Sequence, residues 1–416
     1  MELRRIYVRD EIHTGKGSKG LYFIGDCKDV LRDLLPDHAG RIKLIYMDPP
    51  YLTGDRFYMR LRVGQQSWEK GRPGMLRESF ADPKDREKYL ADMRGVLADC
   101  RELLREDGML FCHVDYRLQP HLRLLLDEIF GEENFLNEII WVYQTGGRST
   151  RHFSRKHDVI LFYAKSDRYD FDLDAVKAPP KAPRTNHMRR HVDPDGRTYR
   201  SMKVGDKVYT YYDDDPVAPS DVWDDVSHLQ QRDPERTGYD TQKPLSLLDR
   251  IVRCASRPGE WVLDPFAGSG TTLEAARLGG RSFIGIDRQP MTVNIARRRL
   301  NGADWRVADA DNARDVAPVC AASVMPGAGF YHVTLDRFEV DVPGLPADAG
   351  PMDAVDNWSV GYVRDGDYHV MEDYVRTRRH GGLLLELKAP AYEGQLALCV
   401  SDILGRNYYY GLDVGV

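Results

Sequence analysis

The chain has 416 residues, 42% hydrophobic and 30% charged with a net charge of −6, a composition that excludes a disordered chain, a fibrous repeat and a membrane bundle. Its length suggests two or three domains, and no apolar run approaches the roughly 18–20 residues that a spanning helix needs. The N-terminus lacks an apolar stretch of signal-peptide type, and the six cysteines form no Cys-x-x-Cys pair, so a cytoplasmic protein with no disulfide framework, zinc ribbon or membrane partner is expected.

In chain order, Leu21–Ile24 reads as a buried strand ending at Gly25-Asp26, followed by a helix from Lys28 that stops at Pro36. Ile42–Met47 is a second strand, closed by Asp48-Pro49-Pro50-Tyr51. Two prolines in succession force extended geometry and end both strand and helix there. A helix over Lys88–Leu104, a strand over Met109–Val114, a helix over Leu122–Phe130 and a strand over Glu138–Tyr143 complete the first half. This alternation indicates a layered α/β sheet, mostly parallel. It fades after Gly146-Gly147, and the stretch to about Gly238 reads as an irregular insertion. Helix and strand resume with a helix at Pro244–Ala255, a strand at Trp261–Leu263, a helix at Gly270–Leu278, a strand at Ser282–Ile286 and a helix at Thr292–Leu300. A loose stretch, Val316–Gly329, precedes an acidic region with strands expected near Tyr331–Leu335, Trp358–Val363, Leu383–Leu387 and Ala397–Val400.

Two segments carry chemistry. The first is Asp264-Pro265-Phe266-Ala267-Gly268-Ser269-Gly270-Thr271-Thr272, a strand end, a small-residue turn and a helix start. Such a turn lets backbone approach a ligand closely, and the free N–H groups of the helix start favour a negative group. Asp287, seventeen residues after Gly270 and at the end of the next strand, sits where an acidic side chain holds ribose hydroxyls in nucleotide-binding folds. Alone, this turn also fits a dehydrogenase or a plain tight connection. The second segment is Asp48-Pro49-Pro50-Tyr51. Its rigid backbone aims a carboxylate and a main-chain carbonyl into one cleft, two acceptors for the two N–H bonds of an exocyclic amine, and Tyr51 offers a face on which a base stacks.

Together these motifs resemble those of the amino-methylating DNA methyltransferases that use S-adenosylmethionine. Asp-Pro-Pro-Tyr is similar to their catalytic motif and Asp-Pro-Phe-Ala-Gly-Ser-Gly to their cofactor motif. Asp48 precedes Asp264 by 216 residues, an order that resembles the circularly permuted β group. Gly25-Asp26-Cys27, Leu110–Asp115 and Gly238–Pro244 match further family marks, and the resemblance covers roughly residues 20–300. Ala267 departs from the Cys of many relatives, a small-for-small exchange. The resemblance implies a Rossmann-like, mostly parallel, permuted sheet with a recognition insertion and a small β-rich C-terminal region. It implies that Phe266, Gly268 and Gly270 line the methionine part of S-adenosylmethionine. By the same likeness Asp264 meets its amino group, Asp287 its ribose, Asp26 its adenine edge, and Thr241 and Lys243 its carboxylate, with Cys27, Ala267 and Thr271 as further cofactor-binding residues. Asp48, Pro49, Pro50 and Tyr51 would hold a flipped adenine for methylation at N6. Serine at the Asp48 position is commoner in cytosine-N4 enzymes, which makes that the main alternative; RNA or a protein amide as substrate is a weaker one.

The expected division is 1–145 as the catalytic half, 146–238 as target recognition, 239–310 as the cofactor half and 311–416 as an acidic packing or dimerisation domain. From Arg148 to Lys207 there are 15 basic and 8 acidic residues, whereas Asn301–Val416 has 9 and 18. Arg148, Arg151, Arg155, Arg184, Arg189, Arg190 and Arg197 are therefore the candidates for contact with duplex DNA. A homodimer and a cognate restriction enzyme are further candidate partners. No metal is expected, since His187 and His191 sit four apart without a neighbouring Glu or cysteine pair. Asp353, Glu386 and Lys388 loosely resemble a nuclease set, although short Glu-x-Lys patterns are frequent on strand faces.

Overall fold

The protein's computed structural model describes residues 3–68, 74–143, 149–180, 188–310, 312–313, 315–377 and 382–414. The first half contains strands β1 (Glu11–His13), β2 (Lys19–Ile24) and β3 (Ile42–Met47), and a hairpin of β4 (Arg56–Leu61) and β5 (Met75–Ala81). Strands β6 (Leu104–Val114), β7 (Phe135–Val142) and β8 (His157–Ala164) follow, interleaved with helices α1 (Cys27–His38), α2 (Arg86–Leu103) and α3 (Gln119–Phe130). A meander of β9 (Arg189–Val192), β10 (Thr198–Val204) and β11 (Lys207–Tyr212) leads to the short β12 (Val222–Trp223). Next come α4 (Leu245–Ala255), β13 (Trp261–Asp264), α5 (Thr271–Leu278), β14 (Ser282–Asp287), α6 (Met291–Arg299) and β15 (Asp304–Ala308). The C-terminal region is built from β16 (Val319–Pro326), β17 (Phe330–Glu339), β18 (Val355–Arg364), β19 (Asp367–Val375), β20 (Glu386–Pro390), β21 (Gln395–Asp402) and β22 (Asn407–Gly411).

Fourteen of these strands form one sheet, in the order β12-β7-β8-β6-β3-β13-β14-β2-β15-β1-β19-β18-β21-β22. From β6 to β15 the neighbours are parallel. Side-chain alternation on β3 explains the layers. Leu44 and Tyr46 join Leu247 of α4 and Ala275 of α5 in one apolar cluster, while Ile45 and Met47 join Leu31 of α1 and Met93 of α2 in another. Helices thus cover both faces, as buried parallel strands require. From β3 the chain goes through α2 to β6 on one side; from β13 it goes through α5 to β14 on the other. The boundary between β3 and β13 is therefore the switch point of the sheet, the place where such folds open a crevice.

The structure departs from the sequence reading at identifiable places. Helix α1 runs two residues past Pro36, which lacks an N–H and so forgoes one bond, to the Arg32 carbonyl, in the last turn. Segment His157–Ala164, read as part of the irregular insertion, is a buried central-sheet strand that returns antiparallel between β6 and β7. The insertion also holds the regular β9–β11 meander, and the stretch read as loose contains β16.

The acidic C-terminal region does not stand apart. Its strand β19 pairs in parallel with β1, which pairs antiparallel with β15, so the large sheet continues into it. The strands β16, β17 and β20 lay a second sheet over this extension, burying Val333, Leu335 and Phe338 against Trp358, Val360, Leu398 and Tyr408. A buried polar cluster fixes the junction. Glu11 on β1 receives the Arg297 guanidinium of α6 at 2.7 Å and the Tyr409 hydroxyl at 2.7 Å. Arg297 also donates to Ser401 at 3.0 Å and Asn407 at 3.1 Å. Burial opposes charge on Glu11, but Arg297 and His13 outweigh it and hold this carboxyl well below the usual range.

Candidate active site

Strands β3 and β13 run side by side with Ile45 opposite Leu263, so Asp48 and Asp264 emerge at the same end of the sheet. A cavity of about 1520 Å³ opens there. Its lining includes Asp48, Pro49, Pro50 and Tyr51 after β3, and Asp264, Phe266, Ala267, Gly268 and Thr271 after β13. Asp26 and Cys27 at the start of α1, Asp287 at the end of β14, and Thr241 and Lys243 ahead of α4 complete it. Gly270 does not line the cavity: with φ +72° it makes the left-handed turn that starts α5.

The turn after β13 is pinned from several sides. Asp264 accepts from Phe266 N at 3.0 Å and from the Thr272 hydroxyl at 2.5 Å. Asp287 accepts from Gly268 N and Gln289 N, each at 2.8 Å. Gly268 has φ +48°, and a Cβ placed on it would stand 3.0 Å from the Tyr239 ring, so only glycine leaves this corner unstrained. Burial, helped by the charges of Asp48 and Asp287 and opposed by the bonds from Thr272 and Phe266, pushes the Asp264 carboxyl up to about 7. Burial likewise raises Asp287 to about 6 against its two backbone bonds. Two carboxylates with raised values at a glycine cradle call for a ligand that brings hydrogen-bond donors and positive charge. Asp26 differs: burial is outweighed by the Lys28 backbone bond and by Arg288, which pairs with it, so its carboxyl is held low.

On the other wall, Tyr51 donates to Asp48 Oδ1 at 2.5 Å and Lys243 pairs with Asp48 Oδ2. Behind them His113 is fully buried, sharing a 2.8 Å hydrogen bond with the Tyr46 hydroxyl and lying 3.4 Å from Asp158. Tyr143 donates to the other Asp158 oxygen at 3.2 Å. Burial works against the Asp158 charge, yet the bond and charge of His113 keep its carboxyl below the ordinary range. Asp115 serves structure: it accepts from Arg117 N and Leu118 N at 2.9 and 3.2 Å, shaping the turn before α3.

Several lining groups were invisible in the sequence. Tyr239 lay inside the Gly238–Pro244 segment without an assigned role. Asp158 lies on the unrecognised β8, Tyr143 directly follows β7, and Leu404 and Arg406 arrive from the C-terminal region. Of the arginines expected at DNA, Arg148 and Arg184 lie outside the described residues, as does His187. Arg155 lies at the cavity mouth, stacked 4.1 Å from the Tyr116 ring centre. Arg151 is exposed. Arg189 and Arg190 are exposed on β9, while Arg197 is held by Asp214 at 2.8 Å. In the C-terminal region Asp353 accepts from Gly350 N at 3.0 Å and Glu386 pairs with His332 at 2.6 Å, separate partners for two members of the nuclease-like set.

A doubly covered α/β sheet thus gathers a glycine cradle, raised carboxylates and an Asp-Pro-Pro-Tyr corner around one cleft at its switch point. The family model for DNA methylases that modify N6 or N4 amines matches residues 42–298, and the chain belongs to that family. It is 29% identical over 307 residues to the type II methyltransferase M.EcaI of Enterobacter cloacae, covering 62% of this chain and 65% of the relative, so it spans less than two thirds of that protein's length. It is 30% identical over 279 residues to the DNA adenine methyltransferase YhdJ of Escherichia coli, covering 66% of this chain and 81% of the relative. Among solved structures it is similar to M1.HpyAVI with S-adenosylmethionine, at 18% identity and TM-score 0.41, covering 68% of this chain and 99% of that one.

Proposed function

We propose that this chain transfers a methyl group from S-adenosylmethionine to the N6 amine of an adenine turned out of duplex DNA. The observation that carries the reading is the shared cleft: Asp48 and the glycine cradle leave adjacent parallel strands at one end of the sheet. The residues present fit the cofactor. Asp264, with its raised carboxyl, would take the amino group, Asp287 the ribose, Asp26 and Cys27 the adenine edge, and Thr241 with Lys243 the carboxylate. Phe266, Ala267, Gly268 and Thr271 would form the wall along the methionine part, with the left-handed turn at Gly270 behind them. S-Adenosylmethionine supplies, when bound, a methyl group already activated by a positive sulfur. The chain's own work is then placement and charge stabilisation more than strong base catalysis. Asp48 and the Pro49 carbonyl accept the two N–H bonds of the amine and direct its lone pair, and the Asp48 charge stabilises the positive charge that develops on nitrogen. Tyr51 stacks on the base, and Pro49-Pro50 fixes the corner.

The test is incubation of the protein with labelled S-adenosylmethionine and duplex DNA of high sequence complexity, followed by mass identification of the modified nucleoside. N6-methyladenine is expected; N4-methylcytosine or unlabelled DNA would reject the reading.

The raised carboxyls give a signed pH dependence. In the ligand-free chain Asp264 and Asp287 hold their protons up to about 7 and about 6, so both are partly protonated near pH 6. Ionising them costs more in the folded than in the unfolded chain, so their contribution weakens the free protein as pH rises from about 4 to about 7. A ligand ammonium beside Asp264 favours the ionised form. Affinity for S-adenosylhomocysteine is therefore expected to rise with pH between about 5 and 7 and then level off, with protons released on binding. Calorimetry at pH 6.5 in two buffers of different ionisation enthalpy measures this; proton uptake would contradict it.

For the DNA face, the double variant Arg189→Glu, Arg190→Glu is expected to weaken duplex binding and to lower the log–log salt slope by roughly two. Filter binding across a salt series reads both quantities, and an unchanged slope would place the contact elsewhere.

A further inference from the structure

Both acceptor oxygens of the catalytic carboxylate are already engaged. Tyr51 donates to Oδ1 of Asp48, and the Lys243 ammonium pairs with Oδ2 while lying 5.6 Å from the Tyr51 ring centre. An incoming amine needs one of these oxygens, and a cation resting on Asp48 opposes the positive charge that methylation builds on the amine nitrogen. Lys243 also reaches the other half of the cleft through its backbone. Its carbonyl accepts from the Thr271 hydroxyl at 3.1 Å, and the next residue, Thr272, donates to Asp264 at 2.5 Å. The backbone of Lys243 and the side chain of Asp264 are thus tied to consecutive residues of one helical turn, and both residues line the cavity. That pair matches the carboxylate and ammonium of an amino-acid ligand, and the free N–H groups at the start of α5 add to the attraction for the carboxylate.

We infer that Lys243 is a positioning residue that covers Asp48 until the amino-acid end of the cofactor draws its ammonium away. Asp48 and the cofactor carboxylate compete for one cation. Cofactor binding therefore uncovers the amine acceptor, and the two halves of the site are coupled through a single side chain. The inference rests on the proposed function for its ligand, but it makes a claim that can be tested without DNA.

The probe is S-adenosylhomocysteine, which has the same amino-acid end without the sulfonium charge, titrated by calorimetry into four proteins: wild type, Asp48→Asn, Lys243→Met and the double variant. Asp48→Asn removes the competitor, so its affinity is expected to rise about fivefold or more. Lys243→Met is expected to bind more weakly, and in its background Asp48→Asn is expected to change nothing. Asp48→Ser repeats the measurement with a smaller side chain, as a control against a disturbed Tyr51. Wild-type binding with no gain in either Asp48 variant, or the same gain in the Lys243→Met background, would overturn the inference alone. Failure of the wild type to bind S-adenosylhomocysteine would overturn the cofactor reading and this inference with it.

Discussion

Asp48→Ala is expected to lower methyl transfer by about a thousandfold or more while the chain still binds its cofactor, because it removes one of the two acceptors on the amine and the charge that stabilises the developing cation. Its neighbours make the loss specific. Asp48 lies at the end of β3, whose residues Ile42–Met47 are all buried, and Pro49-Pro50 holds the following backbone, so truncation of this half-buried side chain at the cleft leaves the scaffold in place. Two measurements separate chemistry from folding: initial rates with labelled cofactor, and S-adenosylhomocysteine binding. A variant that kept a tenth or more of the wild-type rate would remove Asp48 from the mechanism.

Arg297→Met is expected to have the largest effect on stability, a loss of about 3–5 kcal/mol, because it strands the Glu11 carboxylate in the interior. Both side chains are nearly inaccessible, and once the guanidinium is gone Glu11 keeps His13, Tyr409 and the weakly donating Cys399 thiol as partners among the described residues. With its main counter-charge removed, Glu11 would shift toward protonation. The double variant Glu11→Leu, Arg297→Met is expected to recover part of the loss, since an apolar pair needs no compensation. Denaturant midpoints for the two variants decide the matter; a loss below about 1 kcal/mol in the single variant would show that the pair is dispensable.

What could be read in advance follows from the range of the interactions. The strand Ile42–Met47 and the turn after Asp264 were legible because burial, proline and glycine act locally on a few consecutive residues. Their adjacency was not, since the pairing of Ile45 with Leu263 depends on parallel strands distant in sequence. Family likeness supplied the roles that periodicity alone left open between a methyltransferase and a dehydrogenase. β8 escaped notice because it returns antiparallel beside β6, outside the strand–helix–strand alternation that marks the parallel strands from β6 to β15. Helix ends were blurred by up to three residues, as at Gln119 and past Leu35. The contact between Lys243 and Asp48 spans 195 residues, and no local pattern announces it. The polar junction at Glu11 was equally hidden: β1 is only three residues long, and Arg297 lies 286 residues away.

That three-residue strand has an outsized consequence. β1 is the seam between β15 on one flank and β19 on the other, and just ahead of it Ile6 N donates to Tyr409 O at 2.9 Å. Trimming the chain back past His13 would unzip the sheet down its length and leave two raw edges, each ready to recruit a strand from another molecule. Clumping in the test tube, rather than a quiet loss of turnover, is the outcome to expect from a shortened N-terminus.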